Sequence, residues 1–161
     1  MLKVLIVDDE TVVRRGIVLG VDWASMDCVV VGEAANGEEG LAAAERYNPN
    51  LIITDVRMPR MDGIEMMRRL REKESTAHFI ILTAYDEFDY ARAALRYGAA
   101  DYLLKPFRDQ DLMSAIARVR EKEGTAQPAE DTLLLPKGDK SKYVLQTLNY
   151  IAATSASARG I

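Results

Sequence analysis

Carboxylates follow directly after two apolar runs of this 161-residue sequence. The run at residues 2–7 ends in Asp8 and Asp9, and the run at residues 51–54 ends in Asp55. Short apolar runs bounded by turn residues predict buried strands. Carboxylates gathered in one crevice repel one another unless a cation lies among them, and hard oxygen ligands favour Mg²⁺. If the two strands are neighbours, the sequence predicts a magnesium site.

Two further apolar runs end in side chains that suit phosphoryl chemistry. Residues 79–82 lead to Thr83, and residues 102–104 lead to Lys105. A carboxylate can attack a phosphoryl group while a metal ion neutralises the transferred oxygens, and a hydroxyl and an ammonium group can contact those oxygens. Asp55 is the best nucleophile candidate. Any one carboxylate alone is more simply a helix cap or a solvated loop end, but the combination at four strand ends favours a site.

The elements that must position these side chains alternate between strands and helices. Five such alternations in about 120 residues predict an α/β fold with a parallel sheet, covered on both faces by helices. Ligands of such sheets bind at the carboxyl ends of the strands. The predicted strands are residues 2–7, 29–31, 51–55, 79–82 and 101–104, and the predicted helices are 11–19, 38–47, 87–97 and two that begin near Asp62 and Asp109.

Three local patterns refine these helices. Asn36 is a candidate cap for helix 38–47, and Asp62 with Glu65 has the spacing of a capping box. In helix 87–97, helical periodicity places Phe88, Ala91 and Leu95 on the inner face.

Composition limits the possible functions. The chain has 48% hydrophobic and 29% charged residues, and none of its apolar runs approaches the roughly 20 residues that span a bilayer. Without a signal-peptide pattern, we expect a cytoplasmic protein with no membrane partner. One cysteine excludes an intrachain disulfide, and one histidine argues against a zinc or copper site. The net charge of −4 disfavours strong nucleic-acid binding by this chain.

Four motifs resemble the signatures of receiver domains of two-component response regulators (CheY-like domains). They are Val-Asp-Asp-Glu at 7–10, Asp-Val-Arg-Met-Pro-x-Met-Asp-Gly at 55–63, Leu-Thr-Ala at 82–84 and Tyr-Leu-Leu-Lys-Pro-Phe at 102–107. The resemblance covers residues 1 to about 123. It implies a flavodoxin-like (βα)5 fold, a doubly wound parallel sheet with strand order 2-1-3-4-5.

The resemblance also implies a role for each acidic residue. Asp55 would be the phosphoacceptor. Asp9 and Asp55 would bind Mg²⁺ together with the backbone carbonyl of Arg57, and Asp8 would hold the metal through water.

The remaining implied roles concern the response to phosphorylation. Thr83 and Lys105 would contact the phosphoryl group, and Thr83 and Tyr102 would form the switch. The Lys105–Pro106 bond is expected to be cis. Arg57 and Tyr85 would flank the phosphoryl group and restrict attacking water.

The expected function is a phosphorylation switch. A sensor histidine kinase would donate its phosphoryl group to Asp55, which would bias the face formed by residues 86–97, strand five and residues 109–123. The change would alter partner preference, with a homodimer on phosphorylation as one outcome. Such a protein catalyses only its own phosphorylation and dephosphorylation, so we expect no enzyme acting on an external substrate.

The segments at residues 22–23, 32–37 and 84–91 resemble receivers of the YesN type, which carry an AraC-like DNA-binding domain. We expect a receiver at residues 1–123, a linker at 124–141, and a short amphipathic helix and tail at 142–161 that resemble the start of that domain. A double helix-turn-helix output needs roughly 100 residues. DNA binding and transcriptional regulation are therefore expected only through an output domain missing from this chain, and the resemblance implies either a truncated protein or a degenerate regulator.

Three rival interpretations remain open. A haloacid-dehalogenase-type phosphatase also forms an aspartyl-phosphate, but it places the nucleophile on strand one. A flavodoxin would need a Ser/Thr/Gly-rich phosphate loop where this chain has acids. A phosphate-independent docking module would use the same fold only as a surface, and the complete acidic set argues against it.

Overall fold

The computed structural model describes residues 1–125, which form a five-stranded parallel sheet with helices on both faces. Two compact units divide the chain, Met1–Arg120 and Glu121–Ile161. The sheet and the candidate site belong to the first unit. Of the second, the structure describes only residues 121–125. Most of the predicted linker, and the whole of the predicted helix at 142–161, lie outside the described residues.

The strand order is β2-β1-β3-β4-β5, and every neighbouring pair is parallel. This confirms the predicted fold class and strand order. The strands are β1 (Leu2–Val7), β2 (Cys28–Ala34), β3 (Leu51–Asp55), β4 (His78–Thr83) and β5 (Asp101–Leu104). The helices are α1 (Thr11–Gly20), α2 (Gly37–Tyr47), α3 (Gly63–Glu72), α4 (Phe88–Ala91) and α5 (Asp109–Thr125), with 3₁₀ turns at Ala24–Met26, Tyr85–Glu87 and Arg92–Tyr97.

Successive residues of the strands belong in turn to two hydrophobic cores, one on each face of the sheet. In β1, Val4 and Ile6 pack with residues of α1 and α5, whereas Leu5 and Val7 pack with residues of α2 and α3. Strands β3 and β4 alternate in the same way. Because side chains of a strand point to opposite faces in turn, a strand buried on both faces must be apolar almost throughout. This explains the continuous apolar runs in the sequence.

The helical segment between β4 and β5 differs from the predicted helix 87–97. Only four of its residues form α4, and 3₁₀ turns precede and follow them. The predicted inward position of Leu95 is wrong, because Leu95 is 48% exposed and Ala94 is fully buried in its place. The tighter 3₁₀ winding changes which residues share a face.

Several other boundaries differ from the predictions by one to three residues. Strand β2 continues past Gly32 to Ala34. Helix α5 begins at Asp109, in agreement with the predicted start of this helix. It extends to Thr125, however, two residues into the predicted linker.

The caps of α2 and α3 fix the loops beside the sheet edge. The side chain of Asn36 accepts a hydrogen bond from the amide of Glu39, and that of Asp62 accepts one from the amide of Glu65. Both predicted caps are confirmed. The carboxylate of Glu65, however, accepts hydrogen bonds from Arg68 and Arg69, which lie on its own helix.

Gly63 allows helix α3 to begin directly against the end of β3. Its amide donates to the carbonyl of Val56 over 2.8 Å, and a Cβ at this position would overlap the carbonyl oxygen of Asp55. Only glycine permits this close backbone approach. The position of α3 is thereby tied to that of Asp55.

Candidate functional site

The structure brings Asp8, Asp9 and Asp55 together at the carboxyl edge of the sheet. One carboxylate oxygen from each residue lies within 4.8 Å of the others. The approach follows from the neighbouring positions of β1 and β3, in which Val7 pairs with Thr54. Asp8 and Asp55 are buried, with exposed fractions of 0% and 6%, whereas Asp9 is exposed.

Lys105 places its ammonium group among these acids. Its Nζ lies 3.3 Å from Asp55 Oδ1, 3.5 Å from Asp8 Oδ2 and 3.7 Å from Glu10 Oε1. The residue follows β5, on the far side of β4 from β3, and it precedes the cis bond to Pro106. The long side chain therefore crosses the end of the sheet to reach the carboxylates.

Backbone amides hold one oxygen of each buried carboxylate. Asp8 Oδ1 accepts from the Glu10 amide and Asp55 Oδ1 accepts from the Val56 amide, each over 2.9 Å. These bonds orient the carboxylates without neutralising their charge. The neighbouring chain turns thus fix the geometry of the site before any ligand binds.

Burial and mutual repulsion shift the pKa values of these groups. Burial, followed by the charge of Asp8, raises the pKa of Asp55 to about 6, against the lowering effect of Lys105. Burial also raises the pKa of Asp8. For Lys105, burial lowers the pKa, but Asp55 and Asp8 together outweigh it and the net shift is upward. The site thus contains two carboxyl groups that ionise less readily than usual, beside an ammonium group that stays protonated.

The donor set fits a hard divalent cation. Mg²⁺ prefers carboxylate oxygens and keeps several waters, and here three carboxylates converge at an edge that Asp9 leaves open to solvent. One ammonium group cannot compensate three negative charges, so a bound cation would relieve the repulsion that raises the pKa of Asp55. Asp8, Asp9 and Asp55 are the residues that would hold it.

The two predicted switch residues lie on adjacent strands. Thr83 is fully buried at the end of β4, and its hydroxyl donates to the carbonyl of Ala84 over 3.1 Å. Tyr102 lies in β5 opposite Ile81 and is half-buried against the core beneath α2 and α3. Their roles in phosphoryl binding and switching stay predictions.

The sequence analysis missed a network that joins the loop after β3 to the segment around α4. Arg57 Nε lies 3.0 Å from Glu87 Oε2, and its guanidinium lies 5.6 Å from the centre of the Tyr90 ring. The Tyr90 hydroxyl donates to Asp62 Oδ2 over 2.6 Å, and this hydrogen bond raises the pKa of Tyr90 to about 12. No regular spacing in the sequence marks these pairs.

A second contact that the sequence did not indicate involves Arg14 of α1. Its guanidinium donates to the backbone carbonyl of Asp8 over 2.6 Å and pairs with Glu33 of β2 over 3.0 Å. The neighbouring Arg15 also pairs with Glu33. The end of β1 is thus tied to α1 and β2.

A five-stranded parallel sheet of this order, with three carboxylates and a lysine at its carboxyl edge, is typical of receiver domains. The family model of the response regulator receiver domain matches residues 4–117. The chain therefore belongs to the response regulator receiver domain family.

Its relatives include transcriptional regulators. An alignment of 119 residues with the transcriptional regulatory protein YesN of Bacillus subtilis shows 35% identity. It covers 74% of this chain and 32% of YesN. An alignment of 157 residues with the transcriptional regulatory protein BtsR of Escherichia coli shows 36% identity and covers 98% of this chain and 60% of BtsR. The chain thus spans between a third and three fifths of the length of these relatives.

Solved receiver domains have the same fold. The receiver domain of AraT, a response regulator from Geobacillus stearothermophilus, is 44% identical, with a TM-score of 0.75 over 79% of this chain and 98% of its own. A two-component transcriptional regulator AraC from Clostridium phytofermentans is 31% identical, with a TM-score of 0.68 over 76% and 98%. Within residues 1–125, no helix has the length and apolar character needed to cross a membrane.

The raised pKa of Asp55 predicts that its charge destabilises the metal-free fold. Above about pH 6 the folded chain must hold an ionised, buried carboxylate, and this cost disappears as the pH falls toward the unfolded value of 3.8. Asp55→Asn should therefore raise the free energy of unfolding at pH 7.5, in EDTA, by about 1–2 kcal/mol, and the gain should shrink to about a third of that near pH 4.5 and vanish below the unfolded pKa of 3.8. Urea denaturation at both pH values measures this difference.

The matched control is Asp111→Asn. That carboxylate is half-buried, and hydrogen bonds from Arg108 lower its pKa, so its removal should bring no gain in stability at pH 7.5. A gain from Asp55→Asn that persisted unchanged at pH 4.5 would contradict an electrostatic cause.

Proposed function

We propose that this chain is a phosphorylation switch that accepts a phosphoryl group on Asp55 from a sensor histidine kinase, in a Mg²⁺-dependent reaction. The observation that carries the proposal is the convergence of Asp8, Asp9, Asp55 and Lys105 at one sheet edge. The family membership supports the kinase as donor. In this proposal the protein turns over no external substrate and catalyses only its own phosphorylation and dephosphorylation.

The geometry suggests which oxygen of Asp55 reacts. Oδ1 accepts a hydrogen bond from the Val56 amide and lies 3.3 Å from Lys105 Nζ. Because Oδ1 is already engaged by these two groups, we assign Oδ2 as the nucleophile. Its lone pair forms the new O–P bond while the bond from phosphorus to the kinase histidine nitrogen breaks, and the nitrogen keeps that electron pair. Asp8, Asp9, Asp55 and the Arg57 carbonyl would hold Mg²⁺, which would neutralise charge on the transferred oxygens.

After transfer, the chain's own residues respond to the new charge. Lys105 exchanges its contact with Asp55 Oδ1 for a phosphoryl oxygen, and Thr83 turns its hydroxyl from the Ala84 carbonyl toward the same group. Tyr102 moves into the space that Thr83 leaves. The face of α4, β5 and α5 then changes its preference for a partner or a second copy. In a longer protein, this change would regulate transcription.

An exposed stripe on α1 supports docking of the kinase beside the acids. Val12 and Leu19 are 86% and 75% exposed, and with Gly16 they share one face of the helix. Glycine inside a helix is unfavourable by about 1 kcal/mol relative to alanine. A Cβ at Gly16 would meet no atom within 4 Å, so folding does not require glycine there. We propose that Gly16 permits close approach of the kinase helix that carries the phosphohistidine.

The first prediction concerns the phosphoacceptor. Treatment of the chain with a small phosphodonor and Mg²⁺ should add one phosphoryl group by intact-mass analysis, and Asp55→Asn or EDTA should abolish it. Size-exclusion chromatography of the same samples tests the homodimer. Lack of added mass, with donor and metal shown to be active on a control receiver, would favour the phosphate-independent docking module. Turnover of a generic phosphomonoester would favour the phosphatase.

The second prediction separates docking from chemistry. Gly16→Ala should raise the free energy of unfolding by about 0.5–1 kcal/mol, because it removes an unfavourable helical glycine. Gly16→Gln should slow transfer from a phosphorylated histidine kinase at least tenfold, yet leave phosphorylation by the small donor unchanged. Equal kinase rates for Gly16→Gln and the wild type would contradict docking on this face.

The third prediction concerns the lifetime of the phosphoryl group. The structure pairs Arg57 with Glu87 and Tyr90, and Arg57 is two residues from the proposed acceptor. Arg57→Ala should shorten the lifetime because water gains access, as measured by loss of phosphoprotein on Phos-tag gels. Arg60→Ala removes an ion pair, with Glu38, of an arginine that is as exposed as Arg57, and it serves as the control. An unchanged lifetime in Arg57→Ala would remove the shielding role.

A further inference from the structure

Arg14 reaches the peptide that joins two of the proposed metal ligands. Its side chain is 14% exposed, unusually low for an arginine, and it donates to the carbonyl oxygen of Asp8 over 2.6 Å. That carbonyl belongs to the peptide between Asp8 and Asp9. The plane of this peptide sets the direction in which Asp9 leaves the end of β1.

The hydrogen bond from Arg14 is one of several that hold Asp8 in place. The amide of Asp8 donates to the carbonyl of Ala34 on β2, and its Oδ1 accepts from the Glu10 amide. With Arg14 on the carbonyl, the amide, carbonyl and carboxylate of Asp8 each have a partner. Asp9, by contrast, is exposed and follows the end of the strand. The orientation of the Asp9 carboxylate therefore depends on the peptide that Arg14 holds.

Glu33 makes this arrangement compatible with cation binding. An uncompensated guanidinium close to the acids would repel a divalent ion. Glu33 Oε1 lies 3.0 Å from Arg14 Nε, and its other oxygen pairs with Arg15. The Glu33 carboxylate offsets part of the positive charge of Arg14 and Arg15 and also fixes the plane of the Arg14 guanidinium, so that Arg14 provides a directed hydrogen bond.

We propose that Arg14 is a positioning residue for the Mg²⁺ site, acting through the Asp8 carbonyl, and that Glu33 is its charge-compensating partner. The inference rests on the proposed function, because it assumes that Asp8, Asp9 and Asp55 bind the metal. Outer contacts of this kind orient metal ligands, and their loss typically weakens metal binding by about 10–100-fold.

The test is calorimetric titration of the whole chain with Mg²⁺ in the absence of any phosphodonor. Arg14→Gln should weaken Mg²⁺ binding about tenfold or more. Arg15→Gln is the matched control, since Arg15 pairs with Glu33 while Arg14 holds Asp8; it should remain within about twofold of the wild type. Thermal unfolding of each variant in EDTA identifies any loss of the fold.

Two further variants distinguish geometry from charge. Arg14→Lys keeps the charge and the apolar stem, but one ammonium group cannot reproduce the fork that joins Asp8 to Glu33. It should therefore bind Mg²⁺ more weakly than the wild type. Glu33→Gln leaves the guanidinium uncompensated, and its deficit should shrink as NaCl is added, whereas the deficit of Arg14→Gln should persist.

Each outcome bears on the proposal in a defined way. Wild-type affinity in Arg14→Gln, or full affinity in Arg14→Lys, would overturn the positioning role while leaving the proposed function intact. Failure of the wild-type chain to bind Mg²⁺ would overturn both. A deficit in Arg14→Gln and Arg14→Lys, but not in Arg15→Gln, would support Arg14 as the residue that positions the metal ligands.

Discussion

The electrostatic balance between buried carboxylates and one lysine is the constraint on which the rest of the site depends. Asp8 and Asp55 carry raised pKa values because they are buried, and the charge of Asp8 raises the pKa of Asp55 further. The ammonium group of Lys105 lies 3.3 Å from Asp55 and 3.5 Å from Asp8. Such a cluster is stable only when other elements hold it rigidly, since carboxylates free to move would turn toward water. The repulsion among the carboxylates favours cation binding, because folding has concentrated negative charge at one place.

The scaffold meets this constraint through its apolar strands and the polar residues at their ends. Strands β1, β3 and β4 are buried on both faces, so their carboxyl ends cannot shift without disturbing two cores at once. Gly63 then brings the start of α3 against Asp55, and the Asn36 and Asp62 caps fix the adjoining loops. Packing density therefore supplies the rigidity that the charges require.

The sequence predicted what depends on local pattern and missed what depends on long side chains. Strand ends and their carboxylates followed from apolar runs, and the strand order followed from the family resemblance. Leu95 was misplaced because a period of 3.6 residues was assumed where the chain winds as a 3₁₀ turn. The contacts of Arg14 with Asp8 and of Arg57 with Glu87 join different elements through flexible side chains. Neither pair has a spacing that a sequence pattern could detect.

The contacts of Arg14 and Arg57 make the α1 side of the site more rigid than the α4 side. Arg14 is 14% exposed and holds a backbone carbonyl between α1 and β2, whereas Arg57 is 68% exposed and reaches only side chains near α4. Exposed ion pairs contribute little to stability, commonly about 0.2–1 kcal/mol, and are screened by salt. The segment they hold also consists largely of 3₁₀ turns, whose hydrogen bonds are weaker than those of an α-helix. A change of charge at Asp55 therefore meets least resistance toward α4, and the conformational response should spread there before it reaches α1.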